Sequence, residues 1–149
     1  MKISFDLDDT LISNSRFPLE KETLMTRIFG VERLRLGTLE LLKTLRDRGY
    51  EVCVYTTSYR SKTKIKRMFW AYGFSVGTVV NQQLHESRLG SKAKRISKYP
   101  PEFGIDIHID DSLGVQREGK QYGFNTIIVS IEDTDWVNTV LETIDSMNK

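Results

Sequence analysis

The stretch KISFDLDDTL, residues 2–11, decides how the rest of the chain is interpreted. A short apolar strand runs directly into three carboxylates and a threonine. Because side chains alternate along a strand, Asp6 and Asp8 are expected to lean to the same side, away from Asp9. Carboxylates packed this closely repel one another, so a fold that gathers them usually holds a cation or moves a proton. The stretch therefore predicts a paired-carboxylate site at the end of a strand.

Composition limits the class of protein. The 149 residues, 39% hydrophobic and 28% charged, are typical of one soluble globular domain spanning residues 1–149. A single cysteine, Cys53, excludes an internal disulfide and fits a reducing compartment. No signal peptide and no apolar run of about 18 residues is recognisable. The expectation is a cytoplasmic protein without membrane partners.

The charge is unevenly distributed, although the net charge of +2 is too small to indicate nucleic acid on its own. Segments 60–67 and 88–98 each carry five basic residues and no acid, whereas acids concentrate in residues 132–145. A charge run is more often a solvated face than a site. The two basic segments would nevertheless suit an anionic ligand if both lie near the N-terminal carboxylates.

Strand and helix patterns alternate along most of the chain. Helical patterns begin after Gly37, around Ile65 and at Trp136, while residues 82–98 are polar, basic and at best partly helical. Residues 12–36 are irregular, with weak helical character around 23–29, and are predicted to form a flap or minimal lid. Four further strands are predicted after the first, at residues 51–55, 78–80, 105–109 and 125–130. This alternation favours an α/β fold with a mostly parallel sheet covered by helices on both faces.

Polar clusters follow three of the predicted strands, at residues 6–10, 56–58 and 110–112. In a doubly wound parallel sheet, ligands bind at the carboxyl ends of the strands, where the strand order reverses. If the first strand is central and its neighbours are the second and fourth, all three clusters meet in one crevice. Right-handed crossovers make this arrangement reasonable.

The same three clusters resemble the motifs of the haloacid dehalogenase (HAD) superfamily. The matching residues are Asp-Leu-Asp-Asp-Thr-Leu at 6–11, Thr56 after the second strand, and Ile-Asp-Asp-Ser at 109–112. The resemblance covers nearly the whole chain in the right order. It implies a Rossmann-like three-layer α/β/α sandwich with five strands in the order 5-4-1-2-3. It also implies a Mg²⁺-dependent phosphatase that works through an aspartyl-phosphate intermediate.

The resemblance assigns the two catalytic carboxylates different roles. Asp6 would be the nucleophile and a Mg²⁺ ligand. Asp8 would protonate the leaving oxygen and later activate water, while its backbone carbonyl binds the metal. For this role Asp8 must hold a proton near neutral pH, which nearby negative charge and partial burial would favour. Asp9 has no expected role.

The remaining roles fall on the later motifs. Asp111 is preferred over Asp110 as a direct metal ligand. Asp110 would support the site without contacting the metal. Thr56 would donate a hydrogen bond to a phosphoryl oxygen. A cation is needed beside the phosphoryl group, and Lys98 is favoured because it lies just before the loop that leads into the fourth strand. The alternatives Lys92 and Lys94 remain open.

The expected substrate is a phosphorylated small molecule, a nucleotide or a phosphoprotein, and a nucleic-acid end is a further possibility because a site without a large lid is open. A catalytically idle HAD-fold binding or regulatory module is the alternative function. A receiver domain would need an aspartate after the third strand, where Val79-Val80-Asn81 offers none. His85 and His108 lack partners at ligand spacing and are interpreted as structural or surface residues.

Overall fold

The computed structural model describes all 149 residues and contains five strands and six α-helices. The strands are β1 (Lys2–Phe5), β2 (Glu51–Tyr55), β3 (Val79–Val80), β4 (Ile107–Asp110) and β5 (Asn125–Ile128). The helices are α1 (Leu24–Phe29), α2 (Thr38–Asp47), α3 (Lys62–Ala71), α4 (Gln82–Leu89), α5 (Leu113–Tyr122) and α6 (Trp136–Met147). Two 3₁₀ helices cover Gly90–Lys94 and Pro100–Phe103.

The five strands form one fully parallel sheet in the order β3-β2-β1-β4-β5. This is the predicted order 5-4-1-2-3 counted from the other edge, so the predicted fold class is confirmed. β1 is central, with Phe5 opposite Val54 of β2 and Ile109 of β4. The carboxyl ends of β1, β2 and β4 therefore lie side by side, as a shared crevice requires.

The core lies on both faces of the sheet, and 25 of its buried hydrophobic residues form one contiguous cluster. Ile3 and Phe5 of β1 are completely buried, as is typical of a parallel strand covered on both faces. Leu41, Leu42 and Leu45 of α2 bury one stripe of that helix at the spacing predicted for an amphipathic helix. None of the helices combines the length and apolar character that crossing a bilayer would require.

The flap, residues 12–36, is fixed to the sheet through Arg35. Its side chain is only 2% exposed, and its guanidinium lies between the rings of Phe17 and Trp136, at 4.5 and 4.7 Å from their centroids. The guanidinium also donates to the carbonyl oxygens of Ser130 and Asp133, both at 2.9 Å. Cation–π contacts and charge-assisted hydrogen bonds thus hold the end of the flap against the loop after β5.

A second contact fixes the middle of the flap. Oε1 of Glu20 accepts hydrogen bonds from the backbone N–H groups of Gly37 and Leu39, each at 3.1 Å. These are donors of the first turn of α2, whose own N-cap position is a glycine without a side chain. The Glu20 carboxylate therefore caps α2 and interacts favourably with the positive, N-terminal end of the helix dipole.

Candidate active site

The turn after β1 separates the three carboxylates of the opening motif. The carbonyl oxygen of Leu7 accepts hydrogen bonds from the backbone N–H groups of Thr10, Leu11 and Ile12 at 2.9–3.1 Å. Asp9 adopts a left-handed conformation with φ 63°, which aspartate tolerates better than most residues. Leu7 and Leu11 are both buried and anchor the turn.

Lys98 lies in the centre of the crevice and is only 2% exposed. Its Nζ is 3.0 Å from Oδ1 of Asp6 and 2.9 Å from Oδ2 of Asp110. Burial alone would lower the pKa of Lys98, but the two carboxylates outweigh it and the pKa lies above its usual value. The structure thus brings Lys98 to the carboxylates, whereas Lys92 and Lys94 are exposed on the surface.

Asp110 is held by a buried hydrogen-bond chain through His108. Nε2 of His108 lies 2.9 Å from Oδ2 of Asp110, and Nδ1 lies 2.7 Å from the hydroxyl of Ser4. Oδ1 of Asp110 accepts from the backbone N–H of Ser112 at 2.9 Å. Although burial raises the pKa of Asp110, the hydrogen bond from His108 and the charge of Lys98 hold it well below its usual range. Asp110 is therefore a fixed anion beside Lys98.

His108 itself is neutral. Burial, and after it the charge of Lys98, lowers the pKa of His108 to about 4. With Nε2–H donating to Asp110, Nδ1 accepts the hydroxyl proton of Ser4, so one tautomer satisfies both partners. Residues 108 and 110 alternate with 109 on strand β4 and share a face, which is the sequence signal that could have identified His108 as part of the site.

The neutral state of His108 predicts how stability changes with pH. A histidine in the unfolded chain titrates near pH 6.5, so below that pH the unfolded chain takes up a proton that buried His108 refuses until about pH 4. This contribution to stability is fully present above pH 6.5 and is lost as the pH falls through that window. We expect the free energy of unfolding of the wild type, relative to His108→Gln, to fall by up to about 3 kcal/mol between pH 7 and pH 4.

Urea denaturation of both proteins in a chelator at several pH values measures this difference. Glutamine can still donate a hydrogen bond to Asp110, so the titration of Asp110 and of the other groups common to the two proteins largely cancels in the comparison. A difference that stays constant across this pH range would contradict the assignment of a neutral, buried His108.

Three carboxylates converge beside Lys98 and could hold a cation. Ligand atoms of Asp6, Asp110 and Asp111 all lie within 4.8 Å of one another. Three carboxylates face one ammonium, so the cluster keeps surplus negative charge. Burial, opposed by Lys98 and reinforced by Asp110, raises the pKa of Asp6 to about 7, and burial together with Asp110 also raises the pKa of Asp111. A hard divalent cation would relieve this repulsion, and carboxylate oxygens are the ligands that Mg²⁺ prefers.

The hydrogen bonds distinguish the two adjacent aspartates after β4. Both oxygens of Asp110 already accept hydrogen bonds. Asp111 accepts one side-chain hydrogen bond, from the hydroxyl of Thr10 at 3.2 Å, on Oδ1. Asp111 is therefore freer to bind a cation, and Asp110 is better placed to orient Lys98.

Asp8 differs from the expectation. Its side chain is 56% exposed and forms a bidentate ion pair with Arg60, in which both N···O distances are 3.0 Å. Arg60 also donates to Glu32 of the flap at 2.8 and 2.9 Å. The expected partial burial of Asp8 is wrong, because the turn after Leu7 directs the carboxylate outward, where it pairs with Arg60.

Asp8 and Arg60 line an open cleft of about 610 Å³. The flap contributes one wall through Ser13, Glu32 and Arg33. This cleft is wide enough for a substrate and borders the turn that carries the motif carboxylates. Neither Arg60 nor Glu32 was identifiable from the sequence, because their contacts join segments far apart in the chain.

Thr56 follows the last residue of β2 and is buried at the carboxyl edge of the sheet. Its backbone N–H donates to the carbonyl of Val80, and its Oγ1 accepts from the backbone N–H of Ser58 at 3.1 Å. The hydroxyl proton of Thr56 remains available for a ligand oxygen. No hydrogen bond joins Thr56 directly to Asp6 or Lys98.

No protein-family model and no curated protein matches this sequence. Solved structures do share its fold. A HAD-superfamily hydrolase, subfamily IA, variant 1, from Geobacter sulfurreducens PCA superposes with a TM-score of 0.55 at 13% identity, covering 95% of this chain and 98% of that chain.

Two chains from structures of Pnkp1/Rnl/Hen1 complexes are also similar in fold. One, in a structure of the Pnkp1/Rnl/Hen1 complex, gives a TM-score of 0.56 at 18% identity over 89% of this chain and 47% of that chain. The other, in a structure of the Pnkp1/Rnl/Hen1 RNA repair complex, gives 0.55 at 17% identity over 87% and 42%. The present chain thus spans less than half the length of these two. At such identities the comparisons establish a HAD-like fold.

Proposed function

We propose that this protein is a phosphohydrolase that cleaves phosphate monoesters through an aspartyl-phosphate. The observation that carries the proposal is the buried cluster in which Lys98 contacts Asp6 and Asp110 while Asp111 lies alongside. A buried cation beside a nucleophilic carboxylate is what an incoming phosphoryl group requires, because its negative charge would otherwise repel the nucleophile. The HAD-like fold supports this choice of chemistry.

In the first step, a carboxylate oxygen of Asp6 attacks phosphorus while the bond from phosphorus to the ester oxygen breaks. Asp8 gives a proton to the departing oxygen, which leaves as an alcohol. In the second step Asp8 takes a proton from a water molecule that attacks the aspartyl-phosphate. Inorganic phosphate leaves and the Asp6 carboxylate is restored.

The ion pair between Asp8 and Arg60 belongs to the substrate-free state in this mechanism. A substrate phosphate is a stronger partner for the guanidinium than the exposed Asp8 carboxylate because it carries more charge, while Glu32 can keep its own hydrogen bonds from Arg60. Arg60 would transfer to the substrate and leave Asp8 free to carry a proton. Thr56 would donate its hydroxyl proton to a phosphoryl oxygen.

The carboxylates of Asp6 and Asp111, which lie within 4.8 Å of each other, suit Mg²⁺, and the backbone carbonyl of Asp8 would be a further ligand. When bound, this cation would supply charge neutralisation for the transferring phosphoryl group. Asp110 would keep Lys98 in place rather than bind the metal. Burial fixes the position of Lys98 beside the Asp6 carboxylate, which it contacts at Oδ1.

Hydrolysis of a generic aryl phosphate tests the proposal. We expect turnover in the presence of Mg²⁺ and loss of turnover in excess chelator, restored by added Mg²⁺. Turnover that persists in chelator would contradict the metal requirement. Complete inactivity towards every phosphate ester tried would instead favour the catalytically idle binding module. An Asp8–Arg60 ion pair that never opens would be consistent with that function.

The Asp8→Asn variant tests the proton-transfer role. An alkoxide leaves poorly without a proton whereas an aryl oxide with a low pKa leaves readily, so the loss should depend on the leaving group. We expect kcat to fall by about 10²–10⁴-fold for an alkyl phosphate and much less for the aryl phosphate. An equal loss for both substrates would contradict the role of Asp8 as general acid.

The range of substrates to test follows from the open cleft beside Asp8. Phosphorylated small molecules, nucleotides and phosphoproteins all fit a site without a large lid. A chain of similar fold belongs to the Pnkp1/Rnl/Hen1 RNA repair complex. Phosphate-terminated nucleic acid therefore belongs in the same series.

A further inference from the structure

Helix α3 presents a group of cations that have no partners within the chain. Lys62, Lys64, Lys66 and Arg67 are all exposed, and none lies within 4.0 Å of a carboxylate, in contrast to Arg60 just before the helix. The helix itself contains no acid. At 1.5 Å per residue the cations span about 7.5 Å of a helix about 15 Å long. Lys62 and Lys66 lie one turn apart, as do Lys64 and Arg67, so the unpaired cations are spread around the exposed side of the first half of α3, where they favour an anion.

Two exposed aromatic rings adjoin these cations. Trp70 at the end of α3 is 54% exposed, and Phe29 at the end of α1 is 42% exposed. Their ring centroids are 5.4 Å apart with an interplanar angle of 81°, an edge-to-face pair. The two rings touch each other and so form a contiguous exposed aromatic patch beside cations, a kind of surface that often marks a binding site.

The cationic surface connects with the candidate active site. The cleft beside Asp8 shares Glu32 and Arg60 with a second cleft of about 260 Å³ against α3. That second cleft shares Phe29 and Arg67 with a third, of about 440 Å³, which Trp70 also lines. We name the second and third clefts together the α3 groove, and its cations and rings are Lys64, Lys66, Arg67, Phe29 and Trp70.

We propose that the α3 groove binds the chain of a single-stranded nucleic acid whose terminal phosphate enters the site of Asp6. The inference rests on the proposed phosphohydrolase function and names its substrate class. Lys64 and Arg67 would contact backbone phosphates in the cleft nearer the site and Lys66 in the farther cleft, while the rings of Phe29 and Trp70 stack with bases. A cationic track combined with aromatic stacking is the usual design of sites for single strands.

A single strand accounts for more of the surface than other polyanions do. An acidic phosphopeptide would pair with the lysines but leave the exposed rings without a stacking partner. A duplex is recognised through its grooves and shape, whereas free base faces, which the rings require, are available only in single strands. At about 3.4 Å per stacked nucleotide, 15 Å of helix accommodates roughly four nucleotides.

Binding is tested first, independently of catalysis, by fluorescence anisotropy with a labelled, unphosphorylated 12-nucleotide single strand. We expect log K to fall against log salt concentration with a slope near −2, since about three contacted phosphates contribute roughly −0.7 each. The double variant Lys64→Ser, Arg67→Ser should bind at least tenfold more weakly with a slope weaker than about −1. Trp70→Ala should weaken binding at least about fivefold without changing the slope.

Turnover is tested with 3′-phosphorylated and 5′-phosphorylated oligonucleotides against an aryl phosphate. The measured quantity is kcat/KM for the oligonucleotide divided by kcat/KM for the aryl phosphate. For one of the two phosphorylated ends, this ratio should fall at least tenfold in the Lys64→Ser, Arg67→Ser variant. The fall should come from a higher KM for the oligonucleotide. The matched control is Lys43→Ser, Lys120→Ser, which removes two exposed, unpaired lysines from α2 and α5 and should leave the ratio unchanged.

The outcomes separate this inference from the proposed function. Hydrolysis of the aryl phosphate with no effect of the groove variants on oligonucleotides overturns the inference alone. Preferential binding of an acidic phosphopeptide or of anionic vesicles through the same residues also overturns it. Oligonucleotide binding through the groove, without turnover of any phosphate ester, overturns the proposed function and with it the role of the groove in catalysis.

Discussion

Asp6→Asn is expected to lower kcat for an aryl phosphate by at least about 10⁴-fold. An amide oxygen is a far weaker nucleophile than a carboxylate and cannot form the acyl phosphate. The variant also removes one carboxylate ligand from the cluster with Asp110 and Asp111, which weakens cation binding. Steady-state kinetics over a range of Mg²⁺ concentrations measures both effects, and an Asp6→Asn defect in kcat should persist at saturating metal.

Asp47→Asn is the matched control, because Asp47 is exposed at the end of α2 and pairs only with neighbouring Arg46. It should retain wild-type turnover. Circular dichroism and thermal denaturation would establish that Asp6→Asn remains folded, as expected since Lys98 keeps Asp110 as its partner. Retention of more than a tenth of wild-type activity in Asp6→Asn would exclude Asp6 as the nucleophile.

Lys98→Met is expected to have two large effects at once. Turnover should fall by about 10²–10³-fold or more, because the cation that neutralises the phosphoryl group is lost. The protein should also lose about 3–5 kcal/mol of unfolding free energy, since two buried carboxylates remain without their shared partner. Methionine has nearly the length of lysine, so little of this loss would come from a cavity.

Lys94→Met provides the comparison for Lys98→Met, since Lys94 is exposed and forms no ion pair. It should change neither activity nor stability beyond about 0.5 kcal/mol. Added Mg²⁺ should recover part of the stability of Lys98→Met, because a cation among the carboxylates replaces some of the missing charge. Full activity in Lys98→Met, or a large loss in Lys94→Met, would show that another cation serves the phosphoryl group.

Sequence patterns predicted the sheet because each strand carries its own evidence. The apolar run before Asp6, the β-branched run before Thr56 and the run before Asp110 are local features, and parallel topology follows from their alternation with helices. Lys98 was likewise chosen from a local feature, its position just before the loop that leads into β4. The motifs thus located the crevice without knowledge of any long-range contact.

The environment of each side chain could not be predicted in the same way. Whether Asp8 is buried or paired depends on Arg60 and Glu32, which come from two different loops. The role of His108 depends on a hydrogen bond from Ser4, 104 residues away in the chain. The α3 groove adjoins the candidate active site only because side chains from distant segments meet after folding. Packing between distant segments, and not local propensity, decides these features.

The attachment of the flap through Arg35 bears on the kinetics of the protein. A segment held by a buried guanidinium between two rings cannot open and close without breaking several contacts together. Substrate entry would then need no gating step, and association should follow diffusion and electrostatic attraction. Selectivity would come from the shape and charge of a permanent entrance. Opening and closing of the flap should accordingly add no dependence on solvent viscosity to kcat.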